Sequence, residues 1–237
     1  MIGNDIFGTA LLDYLAGNYT QDIRTYSSLD EKDWLPLPYL FRAYNDMPKL
    51  EKEALQHCKG TVLDIGCGAG SHSLWLQEQG LEVTALDASK GAVTTCSKRG
   101  VSKVIHANLY DYKEKQYDTL LLLMNGIGLA GSLGALTRFF SHLKLLLKPG
   151  GQILLDSSDI IYMYQTAEGD HWVPMEMTYY GEVSFEMEYK GKKTPSFPWL
   201  YLDYNTLQRA ALTNNLTCEL VSHGEHYDYL AKLVLVV

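Results

Sequence analysis

The sequence predicts an α/β fold on a doubly wound, mostly parallel sheet, and three observations carry that prediction. Between residues 61 and 157, short apolar segments alternate with helix-length amphipathic ones, as strands joined by crossover helices do. Leu120-Leu121-Leu122-Leu123-Met124 shows no polar alternation, which suits a strand covered on both faces. Gly66-Cys67-Gly68-Ala69-Gly70 joins the first strand of the series to its helix, the context in which a glycine-rich turn forms a nucleotide-type site.

Residues 1–60 read as a helical N-terminal cap. Ile6, Ala10, Leu11, Tyr14 and Leu15 recur at helical spacing. The prolines of Trp34-Leu35-Pro36-Leu37-Pro38 then break the chain. A second helix follows Asp46, with Pro48 suited to its first turn, Leu50, Ala54 and Leu55 as its apolar stripe, and Gly60 as its stop. The cofactor-binding core is expected at 61–157, with strands at 61–65, 82–86, 103–106, 117–124 and 152–157. Its helices fall at 74–79, 89–98 and 132–147, stopped by Gly80, Gly100 and Lys148-Pro149-Gly150-Gly151.

Residues 158–200 read as an insertion after strand five. Val183, Phe185, Met187 and Tyr189 alternate with Glu182, Ser184, Glu186 and Glu188, and Met175, Met177 and Tyr179 alternate before Tyr180-Gly181. The pattern predicts an antiparallel β-hairpin with one buried face and one acidic, wet face. A helix at 203–215 and strands at 217–222 and 227–236 complete the chain. No linker is visible, so residues 1–237 read as a single domain.

Composition narrows the function classes. Hydrophobic residues at 46% and charged residues at 20% are those of a globular chain, which excludes disorder. Asp plus Glu total 28 against 20 Lys plus Arg, a net charge of -8 that argues against nucleic acid as a partner. The longest apolar stretch, around 119–124, is too short to cross a bilayer, and Asp5 stands where a secretory signal carries Lys or Arg. Cys58, Cys67, Cys96 and Cys218 form no C-x-x-C pair, consistent with reduced thiols in a cytoplasmic protein. His223-Gly224-Glu225-His226 is the one close pair of metal-ligand residues and reads as polar turn, so no metal is expected.

The turn after the first core strand carries the chemistry. Its spacing is G-x-G-x-G, with Ser71 where a dinucleotide fingerprint places its third glycine. Asp64 puts a carboxylate in the strand two residues before Gly66. A pyrophosphate at the helix N-terminus would be repelled there, whereas an ammonium or sulfonium would be attracted. Asp87 ends the second strand, placed to accept hydrogen bonds from both ribose hydroxyls. Each acid has a plainer role open to it: Asp64 as cap of the turn, Asp87 as N-cap of the next helix.

Asp64-Ile65-Gly66-Cys67-Gly68-Ala69-Gly70 resembles motif I of the class I S-adenosylmethionine-dependent methyltransferases. Leu86-Asp87-Ala88-Ser89 resembles their second-strand acidic motif, and Leu147-Lys148-Pro149-Gly150-Gly151-Gln152-Ile153-Leu154 their turn into strand five. The resemblance spans about 60–157 and implies a seven-stranded sheet with an antiparallel last strand. It implies S-adenosylmethionine as cofactor, with Asp64, Gly66, Cys67, Gly68 and Gly70 holding the methionine part and Asp87-Ala88 the ribose. Asn108-Leu109 would meet the adenine, where many members carry Asp. Asn125 would border cofactor and acceptor, or serve only as a turn former. Arg42 would reach the methionine carboxylate from the cap, or lie unremarkably at the surface. His72 reads as a solvent-facing helix residue.

Methyl transfer needs in-line positioning and exclusion of water, with a base only when the nucleophile holds a proton. The absence of a catalytic triad is therefore compatible with an enzyme. His171 and Tyr180 are the candidate bases. Tyr162, Tyr164, Trp172, Tyr179, Tyr180, Tyr189, Phe197 and Trp199 either line an acceptor pocket or form the apolar underside of the hairpin. The expected activity is methylation of a small-molecule acceptor by a monomer or homodimer, with 158–200 selecting the acceptor. Two alternatives are a non-catalytic module binding S-adenosylmethionine or S-adenosylhomocysteine, and a nicotinamide-dependent oxidoreductase, which Asp64 and Ser71 disfavour.

Overall fold

Asp5 opens the first helix by accepting a hydrogen bond from Gly8 N at 2.9 Å, and α1 (Ile6–Leu15) buries Ile6, Ala10 and Leu11. The computed structural model describes residues 5–166, 169–173 and 178–236. After α1 come β1 (Ile23–Ser27), β2 (Lys32–Leu35), the short α2 (Leu37–Leu40) and α3 (Lys49–His57). The cap is thus not wholly helical. Its two strands are too short, and too polar on both faces, for periodicity to reveal them.

The core follows the expected order. It comprises β3 (Thr61–Ile65), α4 (Ser71–Glu78), β4 (Glu82–Asp87), α5 (Lys90–Arg99), β5 (Val104–His106), β6 (Tyr117–Leu122), α6 (Leu136–Leu145) and β7 (Leu147–Ser158). Strand β7 takes in the Lys148-Pro149-Gly150-Gly151 segment rather than starting after it. Beyond it lie β8 (Glu182–Tyr189), β9 (Lys192–Lys193), β10 (Phe197–Leu200), α7 (Tyr204–Thr213), β11 (Leu216–His223) and β12 (Asp228–Leu235).

Seven strands form one sheet in the order β11-β12-β7-β6-β3-β4-β5. Pairs within β7-β6-β3-β4-β5 are parallel, and β12 runs antiparallel to both β7 and β11. The apolar run of β6 has the cause its composition suggested. Leu120 and Leu122 pack with Phe139 and Phe140 on one side, while Leu121 and Leu123 pack with Leu76 and Leu154 on the other. The chain crosses from β5 at one edge to β6 beside β3, so the strand order switches at β3/β6. That switch opens the crevice above the carboxyl ends of β3, β4 and β6.

A second sheet, β10-β8-β1-β2 with β9 beside β8, stands over this crevice. The inserted antiparallel hairpin is present, but its arms are β8 and β9 joined by Lys190-Gly191, both at positive φ. Strand β8 also pairs with β10 and β1. Met175 and Met177 lie outside the described residues. The β1–β8 pairing joins segments some 160 positions apart, as Tyr26 Oη donating to Glu188 Oε2 at 2.7 Å illustrates. Val183 and Tyr189 of β8 are buried as the alternation predicts, but Phe185 and Met187 of the same face are only half-buried because they line a cavity, and the acidic residues between them are half-buried too.

Candidate functional site

The turn after β3 places backbone where side chains would obstruct. Gly68 has φ 55°, and a Cβ there would meet only the Phe7 ring, at 3.7 Å, so its face is open. Gly70 has φ 83° for a different reason: a Cβ would lie 2.8 Å from Cys96 Sγ, so this glycine serves packing against α5. Asp87 Oδ2 accepts from Gly68 N at 2.9 Å and Oδ1 from Ser89 N at 2.8 Å, tying the turn to the end of β4. Desolvation raises the Asp87 carboxyl above its ordinary pKa. Asp64 is buried, accepts from Ser73 Oγ at 2.6 Å, and is also raised by burial.

Asp64, Gly68 and Asp87 line a cavity of about 770 Å³. Its floor carries Asp64, Gly66, Cys67, Gly68, Asp87 and Ala88, with Arg42 and His72 beside them. Its roof is Phe185, Met187, Phe197, Trp199 and Tyr201 from the second sheet and the segment after it. Trp199 lies flat against Gly128, where any Cβ would fall 2.1 Å from the indole. Phe7 closes one side, held because Asp5 also accepts from Ser89 Oγ at 2.8 Å and Gly91 N at 2.8 Å. Cys67 Sγ lies 3.5 Å from Cys96 Sγ, and that contact together with burial pushes its thiol up.

The structure brings Arg42, Asp64, Gly66, Cys67, Gly68, Asp87 and Ala88 to one cavity and leaves the other candidates outside its lining. Gly70 turns toward α5. Asn108 is exposed, and its Oδ1 accepts from Tyr110 N at 3.0 Å as a local cap; Leu109 packs into the main core. Asn125 is left-handed at φ 59°, donating to Leu200 O and accepting from Ser157 Oγ, each at 3.0 Å. His171 is exposed and bridges to Gln165. Tyr180 donates to Asp159 Oδ1 at 2.8 Å, and burial drives its phenol far above the range of a useful base. Of the inserted aromatics, Phe197 and Trp199 line the cavity, Tyr189 is core, and Trp172 is exposed.

His72 departs from expectation. It is buried, and its Nε2 lies 2.9 Å from Glu51 Oε2. Glu51, on α3, also takes Arg42 Nε at 3.2 Å and both its oxygens meet Arg42 Nη2. Arg42 Nη1 bonds Tyr39 O, and the guanidinium lies 3.9 Å from the Tyr39 ring centre. This buried trio joins α3, α4 and the loop after α2, and an isolated Glu within an amphipathic helix carries no sign of it. Burial opposes the Glu51 charge, but His72 and Arg42 prevail and hold its carboxyl below the ordinary value.

Asp156, at the end of β7, was equally hidden. Its Oδ1 accepts from Gly126 N at 2.8 Å and its Oδ2 from Met124 N at 3.1 Å, fixing two consecutive left-handed residues, Met124 and Asn125. Burial pushes its carboxyl up to about 6. A carboxyl raised on folding stabilises most below its unfolded value near 4 and loses that contribution as pH rises through 6. The loss is about 3 kcal/mol. Denaturant titrations from pH 4 to 7 are expected to show it in the native chain and not in Asp156→Asn. The difference between the two isolates Asp156 from Asp118, which Lys148 holds low and whose contribution has the opposite slope. Parallel pH profiles for the two proteins would show that Asp156 does not titrate this way.

Residues 62–151 match the family model described as "Methyltransferase domain". The structure superposes on a SAM-dependent methyltransferase from Bacteroides fragilis, solved with S-adenosyl-L-homocysteine, at a TM-score of 0.92. The two are 40% identical, over 98% of this chain and 95% of that one. The cypemycin N-terminal methyltransferase of Streptomyces sp is 32% identical over 114 residues, 46% of each chain. A ubiquinone biosynthesis O-methyltransferase of Rickettsia felis is 28% identical over 116 residues, 48% of this chain and 43% of that one. The matches span less than half the length of these curated relatives.

Proposed function

The chain belongs to the S-adenosylmethionine-dependent methyltransferases, and on that footing we propose that it methylates a small-molecule acceptor by direct displacement. One observation carries the reading: Asp64, the open face of Gly68 and Asp87 converge on a single cavity with an aromatic roof. The donor set suits S-adenosylmethionine. Asp64 offers a buried carboxylate to a cationic amino-acid end, Gly68 leaves room for close approach, and Asp87 faces the cavity where ribose hydroxyls would donate. When bound, the cofactor supplies a methyl group already carried on a sulfonium leaving group.

The chain's own residues do the rest by position. Arg42 and His72 face the amino-acid end, with Glu51 behind them balancing charge. Phe185, Phe197, Trp199 and Tyr201 exclude water over the reacting centre and align the acceptor for in-line attack. Tyr201 keeps its proton, since burial pushes the phenol up to about 12, so it serves as wall and donor rather than base. The roof comes from 182–201, which supports acceptor selection by the inserted segment. The small-molecule class rests on this aromatic-roofed approach.

The decisive experiment is calorimetry with S-adenosylhomocysteine followed by an acceptor screen read by homocysteine release. Recovery of bound NAD instead, or no transfer despite tight cofactor binding across a broad screen, would count against the reading. Asp87→Ala is expected to weaken S-adenosylhomocysteine binding by about ten- to a hundredfold, through lost ribose bonds of ~1.5–3 kcal/mol each that water partly replaces. An unchanged dissociation constant would reduce Asp87 to a tie between Gly68 and Ser89.

A further inference from the structure

Two of the four cysteines meet at the glycine turn, and no step of the transfer uses their sulfur. Cys67 Sγ and Cys96 Sγ lie 3.5 Å apart although 29 positions separate them in the chain. Both thiols are free and buried, in one apolar cluster with Ala85 and Val101. Cys67 lines the cofactor cavity, whereas Cys96 sits behind it on α5. A small oxidant entering the cavity therefore reaches Cys67 with a second sulfur already in contact. Neither Cys58 nor Cys218 has another sulfur within hydrogen-bonding distance among the described residues. The pair is also tied to the turn itself. Cys96 Sγ donates to Gly68 O at 3.3 Å, and Gly70 N donates to Cys67 O at 2.8 Å.

From this geometry we infer that Cys67 and Cys96 form a disulfide under a peroxide oxidant, and that the disulfide releases the cofactor. The Cys67 thiolate attacks one oxygen of hydrogen peroxide and the O–O bond breaks. Hydroxide leaves, takes up the proton Cys67 had released, and Cys67 carries a sulfenic acid. The Cys96 sulfur then attacks the Cys67 sulfur, the S–O bond breaks, and the departing hydroxide takes the Cys96 proton as water. Two thiols lose two electrons, and one peroxide becomes two waters. The hydrogen bond with Cys96 and burial push the Cys67 thiol up, so the first step is slow and quickens as pH rises. The second step is intramolecular and needs no encounter.

A covalent bond draws the two sulfurs about 1.5 Å closer than they stand. Helix α5 is braced at its start, where Asp5 accepts from Ser89 Oγ and Gly91 N and a Cβ on Gly91 would fall 2.4 Å from the Gly8 backbone. The turn, not the helix, therefore takes up the movement. The S–H that Cys96 gave to Gly68 O is lost at the same time, so the face of Gly68 turned to the cofactor shifts. This consequence rests on the methyltransferase reading of the cavity; the bond itself does not.

The test uses the full native chain, reduced and then exposed to millimolar hydrogen peroxide at pH 8.5, with and without S-adenosylhomocysteine. After catalase removes the oxidant, non-reducing peptide mapping reads the bond and calorimetry reads the affinity. Linked peptides holding Cys67 and Cys96 are expected, with S-adenosylhomocysteine bound at least about tenfold more weakly by the oxidised chain. Dithiothreitol should reverse both changes. Saturating S-adenosylhomocysteine during the exposure should slow formation of the bond, because it covers Cys67. In Cys96→Ala, dimedone should label Cys67 as the sulfenic acid in place of the bond. Absence of the Cys67–Cys96 link in the native chain overturns the inference, as does a link that leaves affinity unchanged or one that forms as fast with the cavity saturated. Failure of S-adenosylhomocysteine to bind the reduced chain would instead overturn the function proposed for the cavity, while the mapping still reads the pair.

Discussion

Gly68→Val is expected to abolish S-adenosylmethionine binding while the protein remains folded. A β-branched residue at φ 55° is strained by on the order of 1–3 kcal/mol, a cost a domain of this size survives. The branched side chain would project into the open face of the turn, where the nearest atom is the Phe7 ring at 3.7 Å. On the proposed placement of the cofactor that space is occupied, so affinity should fall by more than about a hundredfold, equivalent to ~2.7 kcal/mol. Melting temperature with and without S-adenosylhomocysteine separates the outcomes, because a ligand that binds only the native state raises it. A ligand-induced rise in Gly68→Val equal to that of the native protein would make the turn structural only.

Glu51→Ala carries the largest expected loss of stability. Both Arg42 and Glu51 are buried, and removing the carboxylate leaves a guanidinium without its counter-charge and His72 without its partner. Breaking a buried pair on one side costs roughly 3–5 kcal/mol. For a chain of this length that lowers the melting temperature by on the order of 10 °C. Arg42→Met combined with Glu51→Leu should lose less than Glu51→Ala alone, since no uncompensated charge remains. If the single and double variants melt at the same temperature, lost packing rather than the orphaned charge sets the cost.

The order of elements in the core was legible because each signal is local. The alternation of apolar segments, the helix stops at Gly80 and Gly100, and the apolar β6 follow from what each stretch must bury. The glycine turn and the two strand-end acids were legible for a related reason. A strand, a sharp turn and a carboxylate at the strand end are set by neighbouring residues, and the parallel sheet brings adjacent strand ends together. Asp64 and Asp87 therefore meet in one cavity although 23 positions separate them.

What remained hidden depends on partners distant in the chain. Strand β1 owes its place to pairing with β8, and β2 to pairing with β1, and no periodicity within five residues reports that. Glu51 reads as one charge on an amphipathic helix until Arg42 and His72 close around it. Asn108 matched a family position, and the structure adds that its side chain caps the next turn by accepting from Tyr110 N, a contact the adjoining backbone offers. The sequence by itself therefore determined the parallel core and the glycine turn, since those rest on burial pattern and backbone conformation, while the kind of ligand came through the family resemblance of the turn and the strand-end acids. Only the tertiary structure decided which side chains roof the cavity and which charges are neutralised in pairs, because these depend on packing between segments whose separation along the chain carries no local trace.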